Sequence, residues 1–257
     1  MTDYPALFRL DGRSAVVIGA GSGIGAESAR ALGSVGATVF CLDRDDAAAT
    51  AVAASIGDHA TAMHLDLADA GSLSAVAQQL DPPDVLVITP AINVRKRITD
   101  YTDDELDRVV DLNLKATFRA SRAFGSRMAE AGRGSIILMS SIRSQTVEPG
   151  QGVYAATKAA IASLARSLAC ELAPFGVRAN AVAPGVVETP LTAQIKANEE
   201  WYAAYGAKPA LGRWAQASEI AGPILFLASD AASYVTGITL FVDGGWMAVD
   251  GRYNPPT

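Results

Sequence analysis

The sequence predicts an α/β fold in which helices cover both faces of a doubly wound parallel sheet. Short apolar runs alternate with helical segments of about ten residues or more, the pattern of a parallel sheet. A glycine-rich turn joins the first apolar run to the first helix. Half of the 257 residues are apolar, enough for a substantial core. We therefore expect one domain over residues 1–257.

Composition and charge exclude several functions. The net charge of -6 and the pI near 5.0 argue against a nucleic-acid-binding surface. The chain shows no signal-peptide pattern, and no apolar run is long enough to span a bilayer. Cys41 and Cys170 lie in apolar runs and are expected to be reduced core residues. His59 and His64 have no third ligand nearby, so no metal site is expected. These features predict a cytoplasmic protein without nucleic-acid or membrane partners.

The first half of the chain supplies four strands and the helices between them. The strands are predicted at 14–18, 37–42, 60–65 and 85–88, and the helices at 26–32, 45–56 and 72–80. Residues 102–105 form a capping box that begins the next helix, which carries Asn113. An asparagine inside a helix is unfavourable, so Asn113 is expected to be either exposed or bonded to backbone.

The second half continues the alternation but contains one irregular segment. Strands are predicted at 135–139, 177–182 and 237–242, and helices at 153–170 and 218–229. Residues 186–216 carry prolines, glycines and four aromatic residues without strong periodicity, which is typical of a lid or a small helical lobe. Their aromatic residues fit either a pocket cover or simple packing. The tail 246–257 is too short for a domain, and residues 250–256 either reach a neighbouring subunit or fray.

The glycine turn predicts a dinucleotide site. It reads Gly19-Ala20-Gly21-Ser22-Gly23-Ile24-Gly25, between a strand and a helix whose N-terminus favours a pyrophosphate. Asp43 follows Gly25 by eighteen residues, where a carboxylate accepts hydrogen bonds from an adenosine ribose. It would also repel a 2′-phosphate, so NAD is favoured over NADP. Arg44 is either a phosphate partner or a solvated turn residue, and Asp66-Leu67 is the expected adenine edge.

A Tyr-Lys pair predicts acid-base chemistry. Tyr154 and Lys158 lie four residues apart and share one helix face. A phenol normally keeps its proton until about pH 10, and an ammonium one turn away favours the phenolate. Ser141 precedes Tyr154 by thirteen residues, at the end of a strand, where it can hydrogen-bond the same substrate oxygen. Taken alone, the pair also fits a tyrosine and a lysine exposed on an amphipathic helix.

These motifs together resemble the short-chain dehydrogenase/reductase family from residue 14 to residue 245. The matching pieces are the glycine turn 19–25, Asp66-Leu67, Asn113, Ser141, Tyr154 with Lys158, Pro184-Gly185 and Val242-Asp243-Gly244-Gly245. The resemblance implies a seven-stranded parallel Rossmann sheet, a nicotinamide cofactor and a homotetramer.

The resemblance also implies residue roles. Tyr154 would be the general acid/base, and Lys158 would lower its pKa and hold the nicotinamide ribose. Ser141, favoured over its rival Ser140 by the spacing to Tyr154, would orient the substrate. Asn113 would bend its helix and hold a water linked to Lys158. Further cofactor contacts are implied at Pro184, Gly185, Val187 and Thr189.

Two segments depart from the family pattern. Ile18 stands where the family usually has threonine, and Ile88-Thr89-Pro90-Ala91 replaces Asn-Asn-Ala-Gly. Both lie where polar side chains of the family join the first and fourth strands, so packing is expected to replace a hydrogen bond. Pro90 also removes a backbone donor beside the cofactor.

Polar residues suggest the substrate. Arg95 begins a basic run after the fourth strand, and Arg143 and Gln151 lie in the loop before Tyr154. In the family that loop lines the substrate pocket. Its polarity suits a polyhydroxylated molecule such as a sugar or sugar acid, and Arg95 or Arg143 could pair with an anionic group on it. Alternatively, these charges make exposed or inter-subunit contacts.

The leading hypothesis is an NAD-dependent enzyme that oxidises a secondary alcohol or sugar hemiacetal. One alternative is a reductase of 3-oxoacyl thioesters, against which Asp43 and the polar loop argue. Another, motivated by the two departures, is a non-catalytic NAD-binding subunit.

Overall fold

The computed structural model describes residues 1–250, and its centre is one parallel sheet of seven strands. The spatial order is β3-β2-β1-β4-β5-β6-β7, and every pair is parallel. The strands are β1 Ser14–Ile18, β2 Thr38–Asp43, β3 Ala60–His64, β4 Val85–Ile88, β5 Gly134–Met139, β6 Val177–Pro184 and β7 Thr239–Val242. This order confirms the predicted doubly wound sheet. The hypothesis about the tail beyond Asp250 lies outside the described residues.

Helices cover both faces of the sheet, as the alternation predicted. They are α1 Gly23–Ser34, α2 Asp46–Ile56, α3 Ala70–Gln79, α4 Asp103–Val110, α5 Thr117–Ala131, α6 Gly152–Leu172, α7 Ala193–Lys196, α8 Glu199–Ala207 and α9 Ala217–Ala228. The capping box at Thr102 and Glu105 is present and begins α4. The helix α1 begins at Gly23, three residues earlier than predicted and inside the glycine turn.

The two faces of the sheet carry separate apolar cores. Successive side chains of a strand point to opposite faces, so Val17 joins one core while Val16 and Ile18 join the other. Because helices cover both faces, the strands are apolar throughout rather than alternating. Cys41 is buried as predicted, but Cys170 is exposed near the C-terminal end of α6, so its prediction as a core residue is wrong.

The segment 186–216 is a small helical lobe, which we call the lid lobe. It contains a 3-10 turn at Pro190–Thr192 and the helices α7 and α8. Tyr202 stacks on Trp214 with ring centroids 4.9 Å apart. Trp214, Ile142 and Trp246 belong to one small apolar cluster, against which the other lid-lobe aromatics pack. The aromatic residues therefore pack the lobe and join it to the loop that carries Ile142.

The ends of β1 and β4 are joined by a hydrogen bond as well as by apolar packing, although Ile18 and Ile88 are apolar. Ile18 and Ile88 are register partners and are both buried. The Thr89 hydroxyl donates to the carbonyl of Ile18 at 2.9 Å and lies 3.3 Å from the carbonyl of Gly19. The expectation that packing alone joins these strand ends is therefore corrected, because Thr89 supplies the bond from the next position.

Membrane-spanning helices and clusters of metal ligands are both absent from residues 1–250. No helix in this range is long and apolar enough to cross a membrane. Nor does this range bring three or more His, Cys, Asp or Glu side chains together as metal ligands. His64 instead pairs with Asp46, with Nδ1 and Oδ1 2.8 Å apart.

The first prediction concerns the approach of α1 to the end of β1. A Cβ on Gly25 would lie 2.0 Å from the carbonyl oxygen of Gly19, which is backbone and cannot swing away. We expect Gly25→Ala to lower the free energy of unfolding by about 2 kcal/mol or more, measured by urea denaturation. The control is Gly71→Ala on the exposed side of α3, where the nearest atom is an Asp69 oxygen at 3.2 Å. Equal losses in the two variants would contradict this account.

Candidate active site

A crevice of about 1160 Å³ lies at the carboxyl ends of the central strands. Ligands of open parallel sheets bind at this edge, beside the point where the strand order reverses between β1 and β4. The glycine turn forms one wall. Gly19 there has a φ of +82°, and a Cβ would lie 2.5 Å from the Thr89 hydroxyl, so only glycine fits.

The crevice brings together most of the residues predicted for cofactor and catalysis. Those lining it are Gly19, Ser22, Gly23, Ile24, Gly25, Asp43, Arg44, Asp66, Leu67, Pro90, Ser141, Tyr154, Lys158, Pro184, Gly185, Val187 and Thr189. Gly21 of the glycine turn is not among them. Four other predicted residues, Asn113, Arg95, Arg143 and Gln151, are not part of its lining, and their predicted roles stay predictions.

Asp43 ends β2 and faces the glycine turn. Its Oδ2 accepts a hydrogen bond from the Gly21 amide at 2.8 Å, and its Oδ1 accepts one from the Asp45 amide at 3.0 Å. A carboxylate has about four acceptor sites, so these two bonds fix its orientation and leave others for a ligand. A Cβ on Gly21 would lie 2.9 Å from Oδ2, which explains the glycine there.

Lys158 is held by backbone at the end of β5. Its ammonium donates to the Met139 carbonyl at 2.7 Å, while the Ser140 hydroxyl donates to the Lys158 carbonyl at 2.8 Å. The lysine is buried, and burial lowers its pKa from 10.5 to about 8. Ser140 and Ser141 both line the crevice, but the hydroxyl of Ser140 donates to α6, whereas that of Ser141 accepts from the Arg143 amide at 3.1 Å.

Tyr154 lies one turn before Lys158, with the ammonium 5.6 Å from the ring centroid. Burial raises the pKa of Tyr154, and this effect outweighs the lowering by the Ser141 hydrogen bond and by the charges of Arg95 and Arg143. The predicted lowering of this pKa by Lys158 is therefore not seen in the chain alone, because Lys158 directs its ammonium at Met139. The neighbouring guanidinium groups supply the favourable charge instead.

Asn113 makes the backbone contact that its place inside a helix indicated. It lies in a π-helical segment, Asp111–Ala116, between α4 and α5. Its side chain accepts from the Ile92 amide and donates to the Ile92 carbonyl, both at 2.9 Å. These bonds fix the loop after β4, and the π segment is the expected distortion of the helix.

A second group of polar residues lies beyond Tyr154 and was partly missed from the sequence. Glu148 accepts hydrogen bonds from Arg143 at 2.7 Å and, more closely, from Gln151 and the Tyr205 hydroxyl. We call Arg95, Arg143, Glu148, Gln151 and Tyr205 the Glu148 cluster. Glu148 shares its loop with the predicted residues, whereas Tyr205 is far away in sequence and gave no signal.

Asn93 extends the Glu148 cluster to the crevice wall. Its Nδ2 donates to Gln151 Oε1 at 3.0 Å, while Gln151 Nε2 donates to the Glu148 carboxylate. Since a carboxylate only accepts, it fixes the orientation of both amides. Asn93 lines the crevice and lies two residues before Arg95, so the basic run was the nearest available signal.

Comparison with known proteins gives consistent matches over nearly the whole chain. A family model described as enoyl-(acyl carrier protein) reductase matches residues 19–247. A galactitol 2-dehydrogenase (L-tagatose-forming) of Cereibacter sphaeroides is 40% identical over 250 residues, covering 95% of this chain and 98% of that protein. A 3-alpha-(or 20-beta)-hydroxysteroid dehydrogenase of Mycobacterium tuberculosis is 38% identical, covering 93% and 91% respectively.

A solved structure matches equally completely. The crystal structure of a gluconate 5-dehydrogenase from Burkholderia cenocepacia, in complex with NADP and tartrate, has a TM-score of 0.91 and 32% identity. The match covers 95% of this chain and 98% of that one. The likeness therefore extends over nearly the whole of both chains.

The second prediction follows from the buried amine of Lys158. Its pKa of about 8 lies below the ordinary 10.5, so the unfolded chain binds this proton more strongly than the folded one. The cost of burial is fully present below pH 8 and decreases as the pH rises towards 10.5. We expect the stability of the native protein relative to Lys158→Met to rise between pH 7 and 10 by on the order of 2 kcal/mol.

Urea denaturation at several pH values measures this difference. The control is Lys208→Met, which removes a lysine from an exposed position. If the difference in unfolding free energy between the native protein and Lys158→Met did not change with pH, burial would not lower the pKa of Lys158 as inferred.

Proposed function

Because this chain belongs to the short-chain dehydrogenase/reductase family, we propose that it oxidises a polyhydroxylated secondary alcohol with NAD. The chain is an oxidoreductase that acts on CH–OH groups with a nicotinamide cofactor. The choice of NAD and the roles of individual residues are our proposal. The observation that carries it is the convergence of Ser141, Tyr154 and Lys158 on the crevice that the glycine turn lines.

The crevice fits a dinucleotide. Gly19 and Gly25 keep the turn free of side chains where a Cβ would meet backbone or Thr89, and α1 begins at the turn with free amide groups. Asp43 is available for the adenosine ribose, and Asp66 with Leu67 for the adenine. Pro184, Gly185, Val187 and Thr189 line the other end, where they would hold the nicotinamide.

The proposed chemistry assigns each polar group one task. A bound nicotinamide supplies the hydride acceptor. Ser141 orients the substrate hydroxyl, and Tyr154 takes its proton as the hydride leaves the carbon. Lys158 stands beside Tyr154 with a pKa lowered to about 8, so it can bind the ribose and exchange protons. Asn113 fixes the Ile92 backbone at the crevice wall, and a water held there is the proposed link from Lys158 to solvent.

NAD preference is supported by charge. The Asp43 carboxylate faces the glycine turn, where a 2′-phosphate would bring a second negative charge close to it. Arg44 also lines the crevice and would partly offset this repulsion. The related gluconate 5-dehydrogenase was crystallised with NADP, so cofactor preference is a point to measure in this chain.

The substrate class is supported by the polar loops and by the relatives. Arg95, Arg143 and Gln151 belong to the Glu148 cluster, next to Tyr154 in space. One relative is named for galactitol and another for gluconate. A reductase of 3-oxoacyl thioesters is the second candidate, favoured by the 38% identity of this chain to a solved structure described as a putative betaketoacyl-ACP reductase. Comparing NADH with NADPH as donors to such a thioester would distinguish the two.

We further propose that the enzyme is cytoplasmic and associates with itself as a homotetramer. An apolar groove of about 330 Å³ between α4 and α6 supports association, lined by Ile98, Leu106, Val110, Leu114 and Val153 among others. Covering such a groove removes apolar surface from water. Sedimentation of the purified protein tests this part of the proposal.

The third prediction concerns the proton acceptor. We expect Tyr154→Phe to lower kcat by about a thousandfold, because general acid-base catalysis is lost, while NAD binding changes little. Steady-state kinetics with an alditol and calorimetric titration of NAD measure the two quantities. The control is Tyr234→Phe, which removes a hydroxyl from a fully exposed tyrosine. Unchanged turnover in Tyr154→Phe would remove this residue from the chemistry.

The fourth prediction concerns Asp43. We expect Asp43→Asn to raise the ratio of kcat/KM for NADP to that for NAD by about tenfold, because the charge repulsion is lost. The amide oxygen can still accept the Gly21 hydrogen bond. Asp46→Asn makes the same charge change at an exposed residue of α2 and should leave the ratio unaltered. A native preference for NADP would contradict the proposed cofactor.

A further inference from the structure

The Glu148 cluster has unequal numbers of positive and negative groups. Two guanidinium groups, Arg95 and Arg143, face the single carboxylate of Glu148. Within residues 1–250 no other carboxylate forms an ion pair with either arginine. The cluster is mostly withdrawn from water, since the side chains of Arg95, Arg143 and Glu148 are 18%, 8% and 25% exposed. One positive charge is therefore left without a partner in a half-buried place.

The guanidinium of Arg143 is held by contacts within the protein. Its Nη2 donates to Glu148 at 2.7 Å and lies 3.2 Å from the Tyr205 hydroxyl. Its guanidinium also lies 5.5 Å from the ring centroid of Trp246. These contacts join the loop before α6 to the lid lobe, so Arg143 has a structural task that a ligand would disturb.

Arg95 has no such task. Its Nη1 is 3.9 Å from Glu148 Oε2, beyond hydrogen-bond distance. In the part of the chain that the structure describes, its guanidinium makes no hydrogen bond, and its other contact is the face of Trp201 at 4.9 Å. Stacking on an aromatic ring holds the guanidinium plane while leaving its N–H edge free. Five donors in a fixed plane match a carboxylate in two-point contact.

The positive charge of Arg95 acts on the phenol of Tyr154. Arg95 and, after it, Arg143 both lower the pKa of the Tyr154 phenol through space. Glu148, which faces Arg95, also accepts from Gln151, and Gln151 holds Asn93 at the wall of the crevice that Tyr154 lines. This geometry lets one small molecule reach both residues, with a hydroxyl at Tyr154 and an anionic group at Arg95.

We propose that the substrate is a polyhydroxylated carboxylate and that the guanidinium of Arg95 binds its carboxylate group. This inference rests on the proposed dehydrogenase function and narrows its substrate class. One substrate carboxylate would leave the Glu148 cluster with two positive and two negative groups. A neutral alditol would leave the charge of Arg95 unpaired.

The test compares an aldonate with the alditol of the same carbon number. We expect the native enzyme to favour the aldonate, and Arg95→Gln to raise its KM by about tenfold or more, because a charged hydrogen-bond pair is lost. The alditol KM should stay within about twofold. The matched control is Arg97→Gln, the same change at an exposed position of the same loop, and neither KM should move.

Glu148→Gln supplies a change of the opposite sign. The variant removes the competing negative charge but keeps an oxygen for Arg143, so the aldonate KM should fall by about threefold. A rise in the aldonate KM of this variant would overturn the charge balance argued above. Equal losses on both substrates in Arg95→Gln would make Arg95 a structural residue and overturn the inference.

The outcomes separate this inference from the proposed function. Turnover of the alditol with no preference for the aldonate would overturn the inference and leave the dehydrogenase function standing. Turnover of neither substrate would contradict the proposed function. In that case aldonate is titrated into the complex with NADH, followed by the fluorescence of Trp201 and its neighbours. Binding that Arg95→Gln does not weaken would overturn the inference there too.

Discussion

The buried ammonium of Lys158 is the constraint on which the arrangement of the crevice depends. A charged amine withdrawn from water is costly unless its hydrogen bonds are satisfied. The Met139 carbonyl accepts one of them at the end of β5, and Ser140 returns a bond to the Lys158 carbonyl. These bonds fix α6 against the carboxyl end of the sheet. Tyr154, one turn earlier on the same helix, is thereby placed at the edge where the glycine turn opens.

The architecture could be predicted from the sequence because it depends on local patterns. Seven apolar runs separated by helices leave few alternatives to a parallel sheet, and the glycine turn marks the point where α1 meets β1. The residues of the crevice could be predicted for the same reason, since most of them follow strand ends. Val187 and Thr189 come directly after β6, and Asp43 ends β2.

What the sequence could not supply were contacts between residues distant along the chain. Tyr205 and Glu148 meet across 57 residues, and neither position is distinguished by periodicity or motif. Cys170 was misplaced because its helix is apolar in composition, whereas burial depends on which face meets the sheet. The role of Thr89 was also hidden. It lies one position from the substituted residues, and only the geometry of the strand ends shows that its hydroxyl reaches Ile18.

One end of the crevice is acidic, whereas the Glu148 cluster is basic, and this difference bears on where each proposed ligand would bind. Asp43 and Asp66 lie at the adenosine end, where they favour hydroxyl donors over a phosphate. Beyond Tyr154, the arginines of the Glu148 cluster outnumber its one carboxylate. In the proposed function, the acidic end therefore favours the adenosine ribose, and the basic cluster favours an anionic group on the substrate.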